Sequence, residues 1–169
     1  MKTYLITGAA GFIGANFLKY LLKLHNDVKI VVLDSLTYAG NLGTIKEDIK
    51  DSRVVFIKGD IRDNDLVKKI FDDYHIDYVV NFAAESHVDR SIEDPQLFLE
   101  TNILGTQNIL ENAKKAWKTG QDENGYPLYR EGVKFLQIST DEVYGSLSKD
   151  YNDPIALKLE DESLKNIVK

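Results

Sequence analysis

Apolar residues are spaced along this chain in two patterns, short continuous runs and longer segments with helical periodicity. The short runs, which are rich in β-branched residues, indicate strands at 4–6, 29–33, 53–57, 78–82 and 133–139. The periodic segments begin near Phe12, Asp63 and Asp94 and place apolar side chains on one helical face. Strands that alternate with helices in this way predict a doubly wound α/β domain built on a parallel sheet.

The predicted strands also indicate where a ligand would bind. We expect the first three strands in the order 3-2-1, with the fourth and fifth on the other side of the first. Polar or small residues follow the strands at Gly8, Asp34, Asp60, Ala83 and Thr140. Because ligands of such sheets bind beyond the carboxyl ends of the strands, we expect these positions to line one crevice.

Two segments interrupt the alternation of strands and helices. The polar segment 118–132 contains the turn-forming sequence Asp-Glu-Asn-Gly at 122–125 and predicts an exposed loop. The segment 146–169 is acidic and rich in lysine, contains Pro154, and shows no pattern of a sixth strand.

A glycine-rich turn joins the first strand to the first helix. Gly8, Gly11 and Gly14 are spaced Gly-x-x-Gly-x-x-Gly, and glycine allows a backbone to approach a ligand without a Cβ in the way. The free N–H groups and the dipole of the following helix attract an anion, which suits the pyrophosphate of a dinucleotide. Asp34 lies about 20 residues beyond Gly14, where an acid binds the adenine ribose. Alternatively, the glycines only allow the helix and the strand to pack.

Three further features refine the dinucleotide hypothesis. Asp34 has no arginine directly after it, which favours NAD over NADP because a carboxylate repels a 2′-phosphate. Asp60 could accept a hydrogen bond from the adenine amino group, or it could be a helix cap or a solvated acid. The small residues after Phe82, Ala83 and Ala84, would leave room beside the cofactor, or would serve tight packing of helix on sheet.

The segment Thr140-Asp141-Glu142 follows the fifth predicted strand and contains two successive carboxylates. Their proximity raises one pKa, and unequal surroundings would give one acid and one base, as a dehydration requires. The alternative is a solvated acidic loop. Because the segment 140–142 lies in the expected crevice, we favour the catalytic interpretation.

The amino-acid composition and net charge of the chain limit the kinds of molecule that it can bind. The 169 residues suffice for one globular domain, and the net charge of −6 argues against nucleic acid or an anionic membrane as a partner. The absence of cysteine excludes disulfides, thiolate zinc sites and a thiol nucleophile. His87 has no second histidine at ligand spacing, so we expect no metal site. The N-terminal residues show no cleavable signal, and we expect a cytoplasmic protein.

Five motifs taken together closely resemble those of the dTDP-glucose 4,6-dehydratases, which are extended short-chain dehydrogenases/reductases. They lie at 7–14, 34–41, 83–91, 101–106 and 139–145, and the resemblance covers residues 1 to about 147. The third and fifth motifs, AAESHVDRS and STDEVYG, are specific to this subfamily. Sugar-nucleotide epimerases share the glycine turn but do not usually carry the Asp-Glu pair.

The resemblance implies a reaction in which NAD takes a hydride from C4 of glucose, water is eliminated across C5 and C6, and the hydride returns to C6. Asp141 matches the acid that protonates the departing hydroxyl, Glu142 the base that removes the C5 proton, and Thr140 the residue that binds the C4 hydroxyl. Ser86 matches a substrate contact. The positions that match NAD contacts are Phe12, Ile13, Asp34, Ser35, Leu36, Thr37, Asp60, Ile61, Phe82, Ala83, Ala84, Glu85, Ser86 and Thr101.

The chain departs from this family in one feature that bears on activity. Members carry a Tyr-x-x-x-Lys pair whose tyrosine removes the C4 hydroxyl proton, and no tyrosine of this chain has a lysine four residues later. We therefore expect 1–147 to be an incomplete NAD-binding Rossmann domain, truncated after its fifth strand, with a variable insertion or tail at 148–169. The C-terminal substrate domain is expected to be absent and the chain inactive alone, with a homodimeric full-length parent.

Two alternatives remain open from the sequence. One is a non-catalytic dinucleotide-binding or dimerisation module that uses the helix predicted at 95–117 as its interface. The other is a different sugar-nucleotide enzyme, either a 4-epimerase or a dehydratase that acts on another nucleotide. Both would bind a dinucleotide through the same glycine turn, so the turn alone does not separate them.

Overall fold

The computed structural model describes residues 1–140 and 143. The strands are β1 (Lys2–Thr7), β2 (Val28–Asp34), β3 (Val54–Lys58), β4 (Tyr78–Asn81), β5 (Lys118–Gln121), β6 (Pro127–Tyr129) and β7 (Lys134–Gln137). The α-helices are α1 (Phe12–Leu24), α2 (Asn64–Tyr74), α3 (Val88–Glu93), α4 (Pro95–Phe98) and α5 (Thr106–Trp117). Short 3₁₀ turns lie at Leu42–Ile45 and Asp48–Lys50, and a π-helical segment at Leu99–Gly105. These elements belong to one compact unit, Met1–Ile138.

A parallel five-stranded sheet forms the centre of this unit. Its strand order is β3-β2-β1-β4-β7, which confirms the predicted order and the predicted Rossmann-like class. Leu5 of β1 is in register with Val31 of β2 on one side and with Val79 of β4 on the other. The direction of winding reverses between β1 and β4, and a sheet of this kind opens a ligand crevice beyond the carboxyl ends of those two strands.

Helices cover both faces of the sheet. On one face Leu18 of α1 is fully buried against Ile6 and Ile30 of the strands. On the opposite face, Ile70 of α2 and Ile109 of α5 are buried against the other side of the same strands. The two apolar layers fix the sheet between the helices, so its loops are held at defined positions.

The segment 118–132 is an antiparallel hairpin of β5 and β6, and the prediction of an exposed loop was wrong about its conformation. Asp122 organises the turn, because its carboxylate accepts hydrogen bonds from the N–H groups of Asn124 at 2.9 Å and Tyr126 at 2.8 Å. Gly125 adopts the left-handed φ of +83° that such a turn requires. The Asn-Gly pair is a hairpin signal, which the polar composition of the segment obscured.

The helix predicted from residue 95 to 117 is present as α4, the π-helical segment and α5 in succession. Asp94 caps its start by accepting a hydrogen bond from the N–H of Leu97 at 3.1 Å. The short helix α3, directly before it, was not predicted. Leu99 and Ile103 are more than half exposed, so the apolar stripe is wider than the face that packs on the sheet. No helix formed by residues 1–140 is long and apolar enough to cross a membrane.

Trp117, the sole tryptophan, ties the hairpin to the sheet and supplies a test of the fold. Its indole N–H donates to the carbonyl oxygen of Ile76 at 2.7 Å, and its ring packs edge-on against Phe71. We expect Trp117→Phe to lower the free energy of unfolding by about 1–3 kcal/mol, since it removes a buried hydrogen bond and leaves a cavity. Urea denaturation followed by circular dichroism measures this loss.

The matched control is Tyr126→Phe, at the exposed tip of the same hairpin, where the ring is 69% exposed. We expect the control to change the free energy of unfolding by less than about 0.5 kcal/mol. Equal losses in the two variants would contradict the role assigned to Trp117.

Candidate functional site

The glycine turn after β1 is packed too tightly for side chains. Gly8 has a φ of +66°, and a Cβ built on it would lie 2.7 Å from the backbone nitrogen of Ala83. A Cβ on Gly14 would collide with the carbonyl oxygen of Gly8, and one on Gly11 would lie 3.3 Å from the same oxygen. Gly8 therefore brings the turn against the loop that follows β4, and Gly11 and Gly14 allow the turn to close on itself.

The N-terminus of α1 opens directly from this turn. The first hydrogen bond of the helix runs from the N–H of Ala15 to the carbonyl oxygen of Gly11 at 2.9 Å. The N–H groups of the helix before Ala15 therefore have no acceptor within the helix. Phe12 is 83% exposed and Ile13 is 62% exposed. Both positions, which match NAD contacts in the family resemblance, are therefore exposed at the helix end. Such an end is a binding position for an anion.

Asp34, at the end of β2, is buried and holds the glycine turn. One of its carboxylate oxygens accepts a hydrogen bond from the N–H of Ala10 at 2.8 Å, and the other accepts one from the N–H of Leu36 at 2.8 Å. The N–H of Asn41 donates to the carbonyl oxygen of Ala10 at 3.0 Å. Each carboxylate oxygen has a second lone pair, so Asp34 can accept a further bond from a ribose hydroxyl.

The loop that follows β4 is fastened from two sides. The hydroxyl of Thr7 donates to the side-chain oxygen of Asn81, and the N–H of Ala83 donates to the Thr7 oxygen at 3.2 Å. Farther along the loop, the side-chain amide of Asn102 binds both backbone groups of Glu85 at 2.8 Å each. Sequence reasoning missed the roles of Asn81 and Asn102, although Asn81, a polar residue at the end of a buried strand, carries a signal for such a role.

Glu85 has a buried side chain that lacks a full set of partners. The residue is only 7% exposed, and its Oε2 has no hydrogen-bond donor among the described residues. A buried carboxylate oxygen without a donor is costly. A hydroxyl or amide of a bound ligand could supply that donor.

Tyr38 lies at the tip of the loop after β2 and contacts the loop after β4. The guanidinium carbon of Arg90 lies 4.0 Å from the centroid of the Tyr38 ring, and the His87 ring meets it edge-on at 6.4 Å. Partial burial and then the negative charge of Glu85 raise the pKa of Tyr38, which Arg90 and the His87 backbone lower to a smaller extent. The net shift is upward, so Tyr38 remains a neutral hydrogen-bonding group at physiological pH.

Asp60, after β3, is engaged by Arg62. Its carboxylate accepts hydrogen bonds from the backbone N–H of Arg62 at 2.8 Å and from the guanidinium at 2.7 and 3.0 Å. Burial raises the pKa of Asp60, but the hydrogen bonds from Arg62 outweigh it and hold that pKa below its ordinary value. Arg62 also pairs with Glu100 at 3.0 Å, and these residues line an open cavity of about 510 Å³ together with Asp63 and Leu104.

The remaining predicted cofactor contacts lie in the loops after β2, β3 and β4, except Thr101, which lies in the π-helical segment. Ile61 is buried, Ser35, Phe82 and Thr101 are half-buried, and Thr37, Ala84 and Ser86 are exposed. Thr140 is exposed and belongs to a second unit, Ser139–Lys169. Asp141 and Glu142 lie outside the described residues. Within the described part of the chain, no three acidic or histidine side chains are grouped as metal ligands.

Comparison with known proteins gives a consistent set of relatives. A family model described as GDP-mannose 4,6 dehydratase matches residues 5–155. The chain is 46% identical over 149 residues to a dTDP-glucose 4,6-dehydratase from Xanthomonas campestris pv. campestris strain B100, which covers 88% of this chain. The chain spans 40% of the length of that relative.

Solved structures show the same similarity. A dTDP-glucose 4,6-dehydratase from Streptomyces venezuelae, crystallised with NAD bound, has a TM-score of 0.72 and 42% identity over 88% of this chain and 42% of its own. A UDP-Glc/GlcNAc 4-epimerase from Campylobacter jejuni reaches a TM-score of 0.63 and 31% identity over 69% of this chain and 34% of its own. The resemblance noted in the sequence is thereby confirmed, and it is stronger toward the dehydratase.

The glycine turn supplies a test of the close backbone approach. We expect Gly8→Ala to lower the free energy of unfolding by roughly 2–4 kcal/mol, because the new Cβ combines a left-handed φ with a collision against the Ala83 backbone. The measurement is urea or thermal denaturation without added ligand.

Gly120→Ala is the matched control, since a Cβ at Gly120 would meet nothing within 4 Å. We expect its effect to stay within about 0.5 kcal/mol. If Gly8→Ala were as stable as Gly120→Ala, the turn would not have the close contact described here.

Proposed function

Because this chain belongs to the GDP-mannose 4,6 dehydratase family, we propose that it is the NAD-binding part of a dTDP-glucose 4,6-dehydratase. Its 46% identity to a dTDP-glucose 4,6-dehydratase supports the choice of substrate. The observation that best supports NAD as the cofactor is the glycine turn, which leaves the N-terminus of α1 open beside the buried carboxylate of Asp34.

The residues present fit a dinucleotide. A pyrophosphate has room at the glycine turn only because Gly8, Gly11 and Gly14 have no side chains there, and the first N–H groups of α1 are donors for it. Asp34 retains lone pairs for the adenine ribose. The unpartnered Oε2 of Glu85 can accept a hydrogen bond from the other end of the cofactor.

When bound, NAD would supply the hydride acceptor and donor for the sugar. Asp34 would orient the adenosine half, and Asp60, ionised at neutral pH, would accept from the adenine amino group. The half-buried Phe82 and Ala83 would exclude water from one face of the site and leave space for the reactive ring. These roles follow the family resemblance and are consistent with the positions of the loops.

The proton transfers of the dehydration are proposed for residues after β7. Asp141 would protonate the departing C6 hydroxyl and Glu142 would remove the C5 proton, with Thr140 and Ser86 as substrate contacts. Oxidation at C4 acidifies the C5 proton, so a carboxylate is a sufficient base. The 1–147 extent of the cofactor domain is part of the same proposal, as are cytoplasmic residence and a homodimeric parent.

The choice of dinucleotide gives the first test of this proposal. We expect the protein that carries these residues to bind NAD at least about tenfold more tightly than NADP, because the Asp34 carboxylate repels a 2′-phosphate. Isothermal titration calorimetry with each dinucleotide measures the ratio. Equal affinities, or tighter binding of NADP, would contradict the assignment of Asp34 to the ribose.

The second test concerns the reaction. We expect the protein that carries these residues to convert dTDP-glucose to the 4-keto-6-deoxy sugar faster than UDP-glucose or GDP-mannose, with the product followed by mass spectrometry. Glu142→Gln should lower kcat by roughly 10²–10⁴-fold, the range of general-base catalysis, while NAD binding is retained.

Glu123→Gln, in the exposed turn of the hairpin, is the matched control and should leave kcat unchanged. Epimerisation without loss of water would instead identify a 4-epimerase, and NAD binding without any turnover would identify a non-catalytic module. The isolated 169 residues, which contain no Tyr-x-x-x-Lys pair, are expected to bind NAD but to show no turnover.

A further inference from the structure

The contact between Tyr38 and Arg90 joins the loop after β2 to the short helix α3, at the end of the loop that follows β4. Tyr38 follows β2 and Arg90 follows β4, and β1 lies between those two strands. A contact between these loops therefore passes across the carboxyl end of β1, where the glycine turn and the N-terminus of α1 lie. The strand order therefore brings this contact to the edge of the sheet where the pyrophosphate is proposed to bind.

Both loops are anchored before they reach this contact. The first is tied to the glycine turn at both ends, through Asp34 and Asn41 on Ala10. The second is tied to the π-helical segment through Asn102 and the backbone of Glu85. These anchors hold the two backbone segments that carry Tyr38 and Arg90, and the guanidinium of Arg90 lies over the Tyr38 ring between them.

The chemistry of the contact leaves Arg90 able to bind an anion. A guanidinium that lies over an aromatic ring uses its face for the cation–π contact and keeps its N–H donors at the edge. Ion pairs in the described part of the chain engage Arg53, Arg62 and Arg130 but not Arg90. The glycine turn itself, 7–14, contains no lysine or arginine.

We propose that Arg90, held on the Tyr38 ring, is a further ligand for the pyrophosphate of the dinucleotide, and that Tyr38 is the residue that positions it. This inference rests on the proposed function, because it takes the bound ligand to be a dinucleotide. The stacked guanidinium supplies the cation that the sequence of the glycine turn lacks. Binding of the ligand would also bridge the two loops.

The experiment compares Arg90→Gln, Tyr38→Leu and Tyr38→Phe in the protein that carries these residues, with NAD, ADP and adenosine as probes. We expect Arg90→Gln to weaken NAD and ADP binding about tenfold, the value of a hydrogen bond to a charged group, and to leave adenosine unchanged because it has no phosphate. Tyr38→Leu should weaken NAD severalfold by releasing Arg90. Tyr38→Phe, which keeps the ring, should bind NAD as the unmodified protein does.

The double variant Tyr38→Leu/Arg90→Gln should bind NAD no more weakly than Arg90→Gln alone, because the two residues act through one contact. The matched control for charge is Lys19→Gln on α1, which removes an exposed positive charge outside the contact. Thermal unfolding of each variant without ligand identifies any that fails to fold.

Each outcome decides a separate question. If the unmodified protein does not bind NAD, the proposed function fails. If it binds NAD and Arg90→Gln binds it equally well, only the role of Arg90 is overturned. Equal weakening by Lys19→Gln, or weakening of adenosine as much as NAD, would show a general charge or folding effect and would also overturn it. If Tyr38→Leu binds like the unmodified protein, Tyr38 does not position Arg90.

Discussion

The close approach of two backbones at the ends of β1 and β4 is the constraint on which the site depends. Gly8 turns with a positive φ and lies where any Cβ would meet the Ala83 backbone. Because the sheet reverses its direction of winding between these strands, this is also the point where a crevice opens. The same absence of side chains that allows the turn to close leaves the N–H groups of α1 uncovered. Packing and binding therefore require the same residues here.

Buried polar side chains then fix the loops around that point. Asp34 holds Ala10, Thr7 and Asn81 connect β1 to β4, and Asn102 holds the backbone of Glu85. Loop backbones in a crevice have few partners of their own, and a buried group without a partner is costly. These side chains supply the partners and hold the loops in one arrangement before any ligand arrives. A site with prearranged loops binds its ligand without a further cost of ordering.

The local pattern of apolar and polar residues was sufficient to predict the sheet and part of the candidate site. The apolar periodicity of each segment gave the strands and helices, and the handedness of crossovers gave the order β3-β2-β1-β4-β7. Spacing alone placed Asp34 beside the glycine turn. Contacts between distant residues were not accessible in this way, since neither the bond from Ala10 to Asp34 nor the stacking of Arg90 on Tyr38 leaves a periodic signal. The hairpin at 118–132 was missed although its Asn-Gly turn was visible, because two short exposed strands carry no apolar run.

An acidic chain can bind the dianionic pyrophosphate of a dinucleotide only if something other than its net charge attracts that group. With a net charge of −6, its overall field repels a pyrophosphate. The attraction then has to come from groups within a few ångströms of the ligand, and oriented backbone N–H groups at a helix end act over that distance. Such groups are effective only when the backbone itself can approach the ligand, which is why glycines occupy the turn. A single cation close to the ligand, the role proposed for Arg90 on the Tyr38 ring, would add to these dipoles without changing the sign of the surrounding surface.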